Sequence, residues 1–292
     1  AFCDSDWAHE NLYGFCPRRY LKLSYRIQLV CHEIVRMEPD VVLLQEVELK
    51  TYQRLLVPCL QNRGYSGFYC NRASEQKWGQ ATFVRTEENG KASSGSLRVV
   101  SAKNLDLTKI WEDHPSLGPL IRSDPNLHEA VTKATTTVQV LGIAFEGPWI
   151  DSRRARGPVL FTSNCHLYSH PAAPHIRSIQ AALLAHALRK EQKGGEAGWV
   201  GNLISGDLNA GPSEGVCALL ATGRLSETHH EWAEGACFRN VATKKEREAQ
   251  WKQQLSPGEV AAVRRAFSAL DKSDSGFLTP AEMNDELKDL VW

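Results

Sequence analysis

The 292-residue chain is 42% apolar and 23% charged, with 34 Lys+Arg against 34 Asp+Glu. These are ordinary values for a globular protein, and the length suffices for one large domain or one large plus one small. A net charge of zero supplies no global field to gather nucleic acid, so a nucleic-acid substrate has to be held locally. The eight cysteines (Cys3, Cys16, Cys31, Cys59, Cys70, Cys165, Cys217 and Cys237) are scattered, with no CxxC pair. Their spacing reads as free thiols in a reducing compartment, with Cys31, Cys59 and Cys165 in apolar, buried contexts. An intracellular location, cytoplasmic or mitochondrial, is expected. No apolar run approaches the roughly 18 residues of a membrane span. There is no signal peptide or initiator Met, so the chain is expected to start inside a longer protein.

In chain order, Tyr25 to Met37 has helical periodicity, with Ile27, Val30, Ile34 and Val35 on one side. Glu38-Pro39-Asp40 stops it. Val41 to Leu44 is a continuous apolar run, as in a strand buried on both faces, and it ends in Gln45-Glu46. An amphipathic helix over about residues 49–62 leads to Gly64 as its C-terminal cap. Ala81 to Arg85 reads as a strand and Glu87 to Ser96 as a polar loop. Asp113-His114-Pro115 reads as loop. Thr135 to Phe145 alternates as a long strand. Gly147 to Pro158, with Arg153, Arg154 and Arg156, is a hairpin-like connection. Val159 to Asn164 is a strand that breaks at His166, Ile176 to Lys190 a helix, and Lys193 to Gly198 a loop. Val200 to Ser205 is a strand running into Gly206-Asp207-Leu208-Asn209, and Glu214 to Ala221 is helical. Strands alternating with helices predict an α/β domain over residues 1–243. A charged linker follows over 244–255, and a purely helical module over 256–292.

Polar groups that can do chemistry sit where three strands end: Glu46, the pair Asn164/His166, and the pair Asp207/Asn209. Singly, each has an ordinary explanation as a solvated strand terminus, a structural histidine or a turn former. Together they predict a catalytic rim, because strand ends collect functional side chains.

The segments Leu44-Gln45-Glu46-Val47, Asn164-Cys165-His166-Leu167 and Gly206-Asp207-Leu208-Asn209-Ala210-Gly211-Pro212-Ser213 resemble, in order and spacing, the motif series of the endonuclease/exonuclease/phosphatase superfamily. The opening Tyr13-Gly14-Phe15-Cys16-Pro17 and Glu38-Pro39-Asp40 resemble its deadenylase-like branch. His166-Leu167-Tyr168-Ser169-His170-Pro171, Ile176-Arg177-Ser178-Ile179-Gln180, Leu56-Val57-Pro58 and His230-Glu231-Trp232 are similar to the 2′,5′-phosphodiesterase group within that branch. The resemblance covers residues 2–232. It implies two packed, mostly antiparallel sheets flanked by helices. It also implies a Mg²⁺-dependent phosphodiesterase acting on oligoadenylate or RNA 3′ ends. Glu46 would bind Mg²⁺ and Asp207 would orient or deprotonate the attacking water. His166 and Asn209 would donate hydrogen bonds to the phosphate, with Asn164 supporting them. Two features depart from the family pattern: the first-strand Asn and the final Asp-His pair have no match here. The residues present are therefore expected to show weak or no activity alone.

Asp271 to Glu282 is similar to the twelve-residue EF-hand loop. Asp271, Ser273 and Ser275 take positions 1, 3 and 5. Gly276 makes the sharp turn, Phe277 offers its carbonyl, Thr279 takes position 9, and Glu282 supplies the bidentate carboxylate. Two ligating carboxylates predict Ca²⁺ affinity at the weak end of the sensor range or below. Two alternatives stand beside the phosphodiesterase reading. One is a superfamily member acting on another phosphoester. The other is a calcium-responsive binding protein whose hydrolase domain is degenerate.

Overall fold

The computed structural model describes residues 5–71, 78–86, 97–145, 158–194, 200–236 and 238. The linker 244–255, the arginines Arg153, Arg154 and Arg156, and the calcium-loop residues Asp271, Ser273, Ser275, Phe277, Thr279 and Glu282 lie outside them. The chain divides into two compact units, Ala1–Leu12 with Arg18–Asn240, and Tyr13–Pro17 with Val241–Trp292. Among the described residues of the second unit, Cys16 N–H donates to the Tyr13 carbonyl at 2.9 Å, and the Tyr13 and Phe15 rings meet edge to face at 6.3 Å.

The first unit opens with helices α1 (Asp6–Asn11), α2 (Arg18–Leu21) and α3 (Leu23–Met37). Ser5 caps α1 through its side chain. Residue Glu38 terminates α3 in the left-handed conformation, φ 47°, with Pro39 behind it to bar continuation. Helix α3 buries Ile34 and packs Ile27 and Cys31 against the core, whereas Val30 is exposed, contrary to the periodicity.

Three strands form the first sheet: β1 (Val41–Glu48), β2 (Tyr65–Asn71) and β3 (Trp78–Arg85), in the order β1-β3-β2 and antiparallel throughout. Between β1 and β2 the expected single helix is broken into three pieces. These are α4 (Leu49–Thr51), a π-helical turn (Tyr52–Leu56) and α5 (Val57–Gln61). Pro58 has no N–H to donate back along the helix, and the π turn, closed by Val57 N–H to the Tyr52 carbonyl, absorbs the defect. Gly64, at φ 80°, ends it as expected.

The second sheet contains β4 (Leu97–Asp106), β5 (Thr137–Phe145), β6 (Val159–His166) and β7 (Val200–Asp207), ordered β4-β5-β6-β7. Its pairs are antiparallel except β6 with β7, which run parallel. That parallel pair needs a crossover, and α8 (Pro174–Gly194) supplies it. Helices α6 (Leu117–Ser123) and α7 (Pro125–Lys133) precede β5, and α9 (Gly215–Thr222) and α10 (His230–Ala236) follow β7. Alternation along β5 puts Leu141 and Ile143 toward the first sheet, where they meet Val84, and Val138 and Val140 toward α8. Ile34, Leu56, Leu60 and Phe83 fill the outer face of the first sheet under α3 and α5. The result is a two-sheet sandwich with helices on both outer faces. Among the described residues, no helix is long and apolar enough to cross a membrane.

The described cysteines are free thiols. Cys165 and Cys70 are buried, and Cys31 and Cys59 only half-buried, which corrects the expectation for the latter two. Burial pushes the Cys31 thiol up to about 11, with the neighbouring Cys59 adding to the shift.

Candidate active site

The site is assembled from the C-terminal ends of β1, β6 and β7. Parallel pairing of β6 with β7 sets Asn164 beside Ser205 and His166 beside Asp207. Strand alternation gives all four the same face, the one turned toward β1, which packs across from β6 and β7. His166 Nε2 lies 3.7 Å from Asp207 Oδ2. The imidazole is nearly buried, but the Asp207 side chain is half exposed to solvent.

Asp207 and Asn209 build one turn. The Asn209 N–H donates to Asp207 Oδ1 at 2.8 Å, and Asn209 Nδ2 donates to the Leu167 carbonyl at 2.9 Å. The Leu167 N–H in turn donates to the Asp207 carbonyl. Asn209 holds φ at 50°, a conformation Asn tolerates better than most residues. Upstream, Gly206 sits at φ 135°, and a Cβ there would fall on the Cys165 backbone. Only glycine permits β7 to approach β6 so closely just before the carboxylate. On the opposite face of β6, the Cys165 thiol is pushed up to about 12 by burial and then by the charge of Asp207.

Glu46 is presented differently. The β1–β3 register slips between Leu44 and Val47, and within that bulge Glu46 takes φ 55°, in the left-handed region. A bulge re-aims one side chain out of the strand's alternation, and Glu46 is exposed in consequence. Its neighbour Gln45 turns inward, where Nε2 donates to Asn164 Oδ1 at 2.8 Å. Asn164 is 1% exposed. Its Nδ2 reaches the carbonyls of Leu44 and Ala81 at 3.1 and 3.2 Å and Thr82 Oγ1 at 3.2 Å. The Asn164 amide thus joins the two sheets directly beneath the bulge.

The structure brings His166, Asp207 and Asn209 together and places Glu46 on the strand that faces them. Asn164 is brought in as well, with its polar atoms engaged by Gln45, Leu44, Ala81 and Thr82. Sequence reasoning does not identify Glu214 or Gln45 as supports. Glu214 Oε1 accepts from Gly211 N–H at 3.1 Å, and Oε2 pairs with Arg177 at 2.6 Å. Glu214 is legible only as the start of a helix, and the carboxylate-to-loop contact has no motif. Asp113-His114-Pro115, read as loop, closes a 3₁₀ turn (Ile110–Asp113). His114 Nδ1 accepts from the N–H groups of Ser116 and Leu117, capping α6.

The oxygen donors at the rim suit a hard divalent cation: Glu46 and Asp207 are both exposed carboxylates. Elsewhere among the described residues, His229, His230 and Glu231 set ligand atoms within 4.8 Å of one another. The Glu231 carboxylate is buried and accepts from Gly215 N–H at 2.7 Å and Ser178 Oγ at 3.2 Å. It thereby anchors the start of α9 to α8.

Comparison with known proteins agrees with this architecture. The chain is 27% identical over 232 residues to 2′,5′-phosphodiesterase 12 of Homo sapiens, covering 80% of this chain and 36% of that protein. It is 26% identical over 254 residues to CCR4-NOT transcription complex subunit 6-like-B of Xenopus laevis, covering 80% and 44%. The chain therefore spans less than half the length of these curated relatives. Among solved structures, ANGEL2, described as a 2′,3′-cyclic phosphatase and bound to adenosine-2′,3′-vanadate, superposes with a TM-score of 0.55 at 21% identity. That superposition covers 75% of this chain and 54% of that one, and it supports the fold. Residues 11–260 match the model of the Endonuclease/Exonuclease/phosphatase family, and the chain belongs to that family.

Proposed function

We propose that this chain carries the catalytic face of a divalent-metal-dependent phosphodiesterase that hydrolyses oligoadenylate or RNA 3′ ends. The observation that carries this is the convergence of His166, Asp207 and Asn209 on two adjacent parallel strand ends, with bulge-presented Glu46 on the strand facing them. The name of one relative, a 2′,5′-phosphodiesterase, supports the reaction class. Free thiols support a reducing, intracellular setting.

Glu46 would hold Mg²⁺, and the ion would supply charge stabilisation at the phosphoryl oxygens. The chain's own residues do the rest. Asp207, fixed through Oδ1 by the Asn209 N–H, holds Oδ2 3.7 Å from His166 Nε2 on a half-exposed side chain, and there it would orient a water and take its proton. His166, on the adjacent strand, would donate a hydrogen bond to the phosphate. Asn209 spends one amide hydrogen on the Leu167 carbonyl, leaving the second for a phosphate oxygen. A fixed donor of this kind is worth on the order of 3 kcal/mol at the transition state.

The test is Mg²⁺-dependent release of AMP from 2′,5′- and 3′,5′-linked oligoadenylate, comparing the chain with Asp207→Ala and Glu46→Gln. Weak release by the chain that disappears in both variants is the expected result. Release unaffected by Asp207→Ala would remove the assignment. The calcium reading rests on Asp271, Ser273, Ser275, Phe277, Thr279 and Glu282. It is tested by Ca²⁺ titration of the chain against Glu282→Gln, where a lost binding isotherm is expected and an unchanged one would refute it.

A further inference from the structure

We infer that Arg177 and Glu214 are positioning residues that clamp together the loops following the two catalytic strand ends. The inference rests on the phosphodiesterase reading above. Arg177 projects from α8, the crossover between β6 and β7, and its side chain is 3% exposed. One terminal nitrogen, Nη1, donates to the His170 carbonyl at 2.8 Å and leans toward the Tyr168 carbonyl at 3.5 Å. Both carbonyls belong to the loop that follows His166. The other, Nη2, pairs with Glu214 Oε2 at 2.6 Å. Glu214 in turn accepts Gly211 N–H through Oε1, on the loop that follows Asp207 and Asn209. One guanidinium therefore bridges the loop behind the imidazole to the loop behind the carboxylate. Three residues along α8, Gln180 braces the same region by accepting the Tyr168 N–H at 3.0 Å.

The energetics argue that this bridge is not kept for stability. Burying the Arg177 guanidinium carries a desolvation cost that is recovered only when all its donors are met. Here Arg177 Nε is buried without a hydrogen-bond partner among the described residues, so the arrangement is not an optimised one. What a planar fork gives that an apolar side chain cannot is fixed geometry between two loops. The His166 to Asp207 approach is 3.7 Å, and a shift of about 1 Å in reacting groups costs about a hundred-fold in rate.

The test uses the full chain with Mg²⁺ and oligoadenylate, comparing Arg177→Lys and Glu214→Gln with the parent. Lysine keeps the charge but not the fork, and the glutamine amide keeps an acceptor for Gly211 but not the ion pair. Each is expected to lower kcat by about ten-fold or more, with KM changed less than about three-fold, because the loops carry geometry rather than ground-state binding. The double variant should lose little more than either alone, since both break one bridge. Glu214 is partly exposed, so Glu214→Gln is expected to fold even if the buried Arg177 variant does not. The same proteins are read by the NMR signals of the His166 ring and the Asn209 side-chain amide, which should move in both variants. Unchanged kcat together with unmoved signals would overturn the proposal. If the parent releases no AMP, the outcome expected where the first-strand Asn and the final Asp-His pair have no match, the NMR signals alone decide the clamp.

Discussion

Asn164→Ala distinguishes a residue that holds the sandwich together from one that touches the substrate. The amide's two N–H hydrogens are shared among three acceptors and its oxygen accepts one hydrogen bond, about three bonds in all that link both sheets. A net contribution of about 1 kcal/mol per hydrogen bond, plus the void left by the side chain, gives a loss of about 3 to 4 kcal/mol. The isosteric Asn164→Asp should be at least as damaging near pH 7. Its carboxylate would face the Leu44 and Ala81 carbonyls, which accept hydrogen bonds and donate none. Urea denaturation followed by near-ultraviolet circular dichroism measures the loss as a shift in midpoint at constant slope. A loss below about 1 kcal/mol with abolished turnover would refute the positioning role and return Asn164 to the chemistry.

Two further outcomes follow from packing and protonation. His175 is pulled from 6.5 down to about 4, by burial and then by Arg177. The unfolded chain therefore binds more protons than the folded one between these values. The contribution to stability is complete above pH 6.5 and disappears as pH falls toward 4, about 3 kcal/mol in all. His175→Phe should flatten urea midpoints over that interval, and an unchanged slope would count against the burial argument. Gly206→Ala should cost at least about 3 kcal/mol, because the added Cβ meets Cys165 backbone at a φ that L-residues avoid. Full stability of that variant would mean that β6 and β7 are less tightly apposed.

The elements legible in the sequence are those announced by a strong apolar run or periodicity: α3, β1, β3, β5, β6, α8, β7 and α9 each lie within a few residues of that pattern. Strands β2 and β4 escape that reading because exposed residues interrupt their apolar pattern, three of seven in β2 and five of ten in β4, as in the alternation of Val99 and exposed Val100. Helices α6 and α7 are hidden by Pro115, Pro119 and Pro125, and only the His114 and Asp124 caps show how the chain restarts after each break. The rim residues are readable because each ends an apolar run. The supports are not, since Glu214 and Gln45 act through contacts across 37 and 119 residues, and single-sequence patterns carry no information at that range.

The conformation of Glu46 ties the bulge to the chemistry of the rim. An exposed residue on a regular strand prefers Ala to Gly by about 0.5 to 1 kcal/mol, because glycine loses more backbone freedom on folding. At φ 55° the order should invert. Alanine keeps the left-handed strain, worth about 1 to 2 kcal/mol, and glycine relieves it. Both variants remove the carboxylate, and the Glu46 side chain is exposed, so neither packing nor metal binding separates them. Glu46→Gly is therefore expected to be more stable than Glu46→Ala by about 1 kcal/mol in metal-free buffer, with both inactive. Should Ala prove the more stable, the bulge does not hold residue 46 in the left-handed region in solution. The carboxylate would then follow the strand's ordinary alternation, and β1 would no longer aim it toward the rim that His166 and Asp207 define.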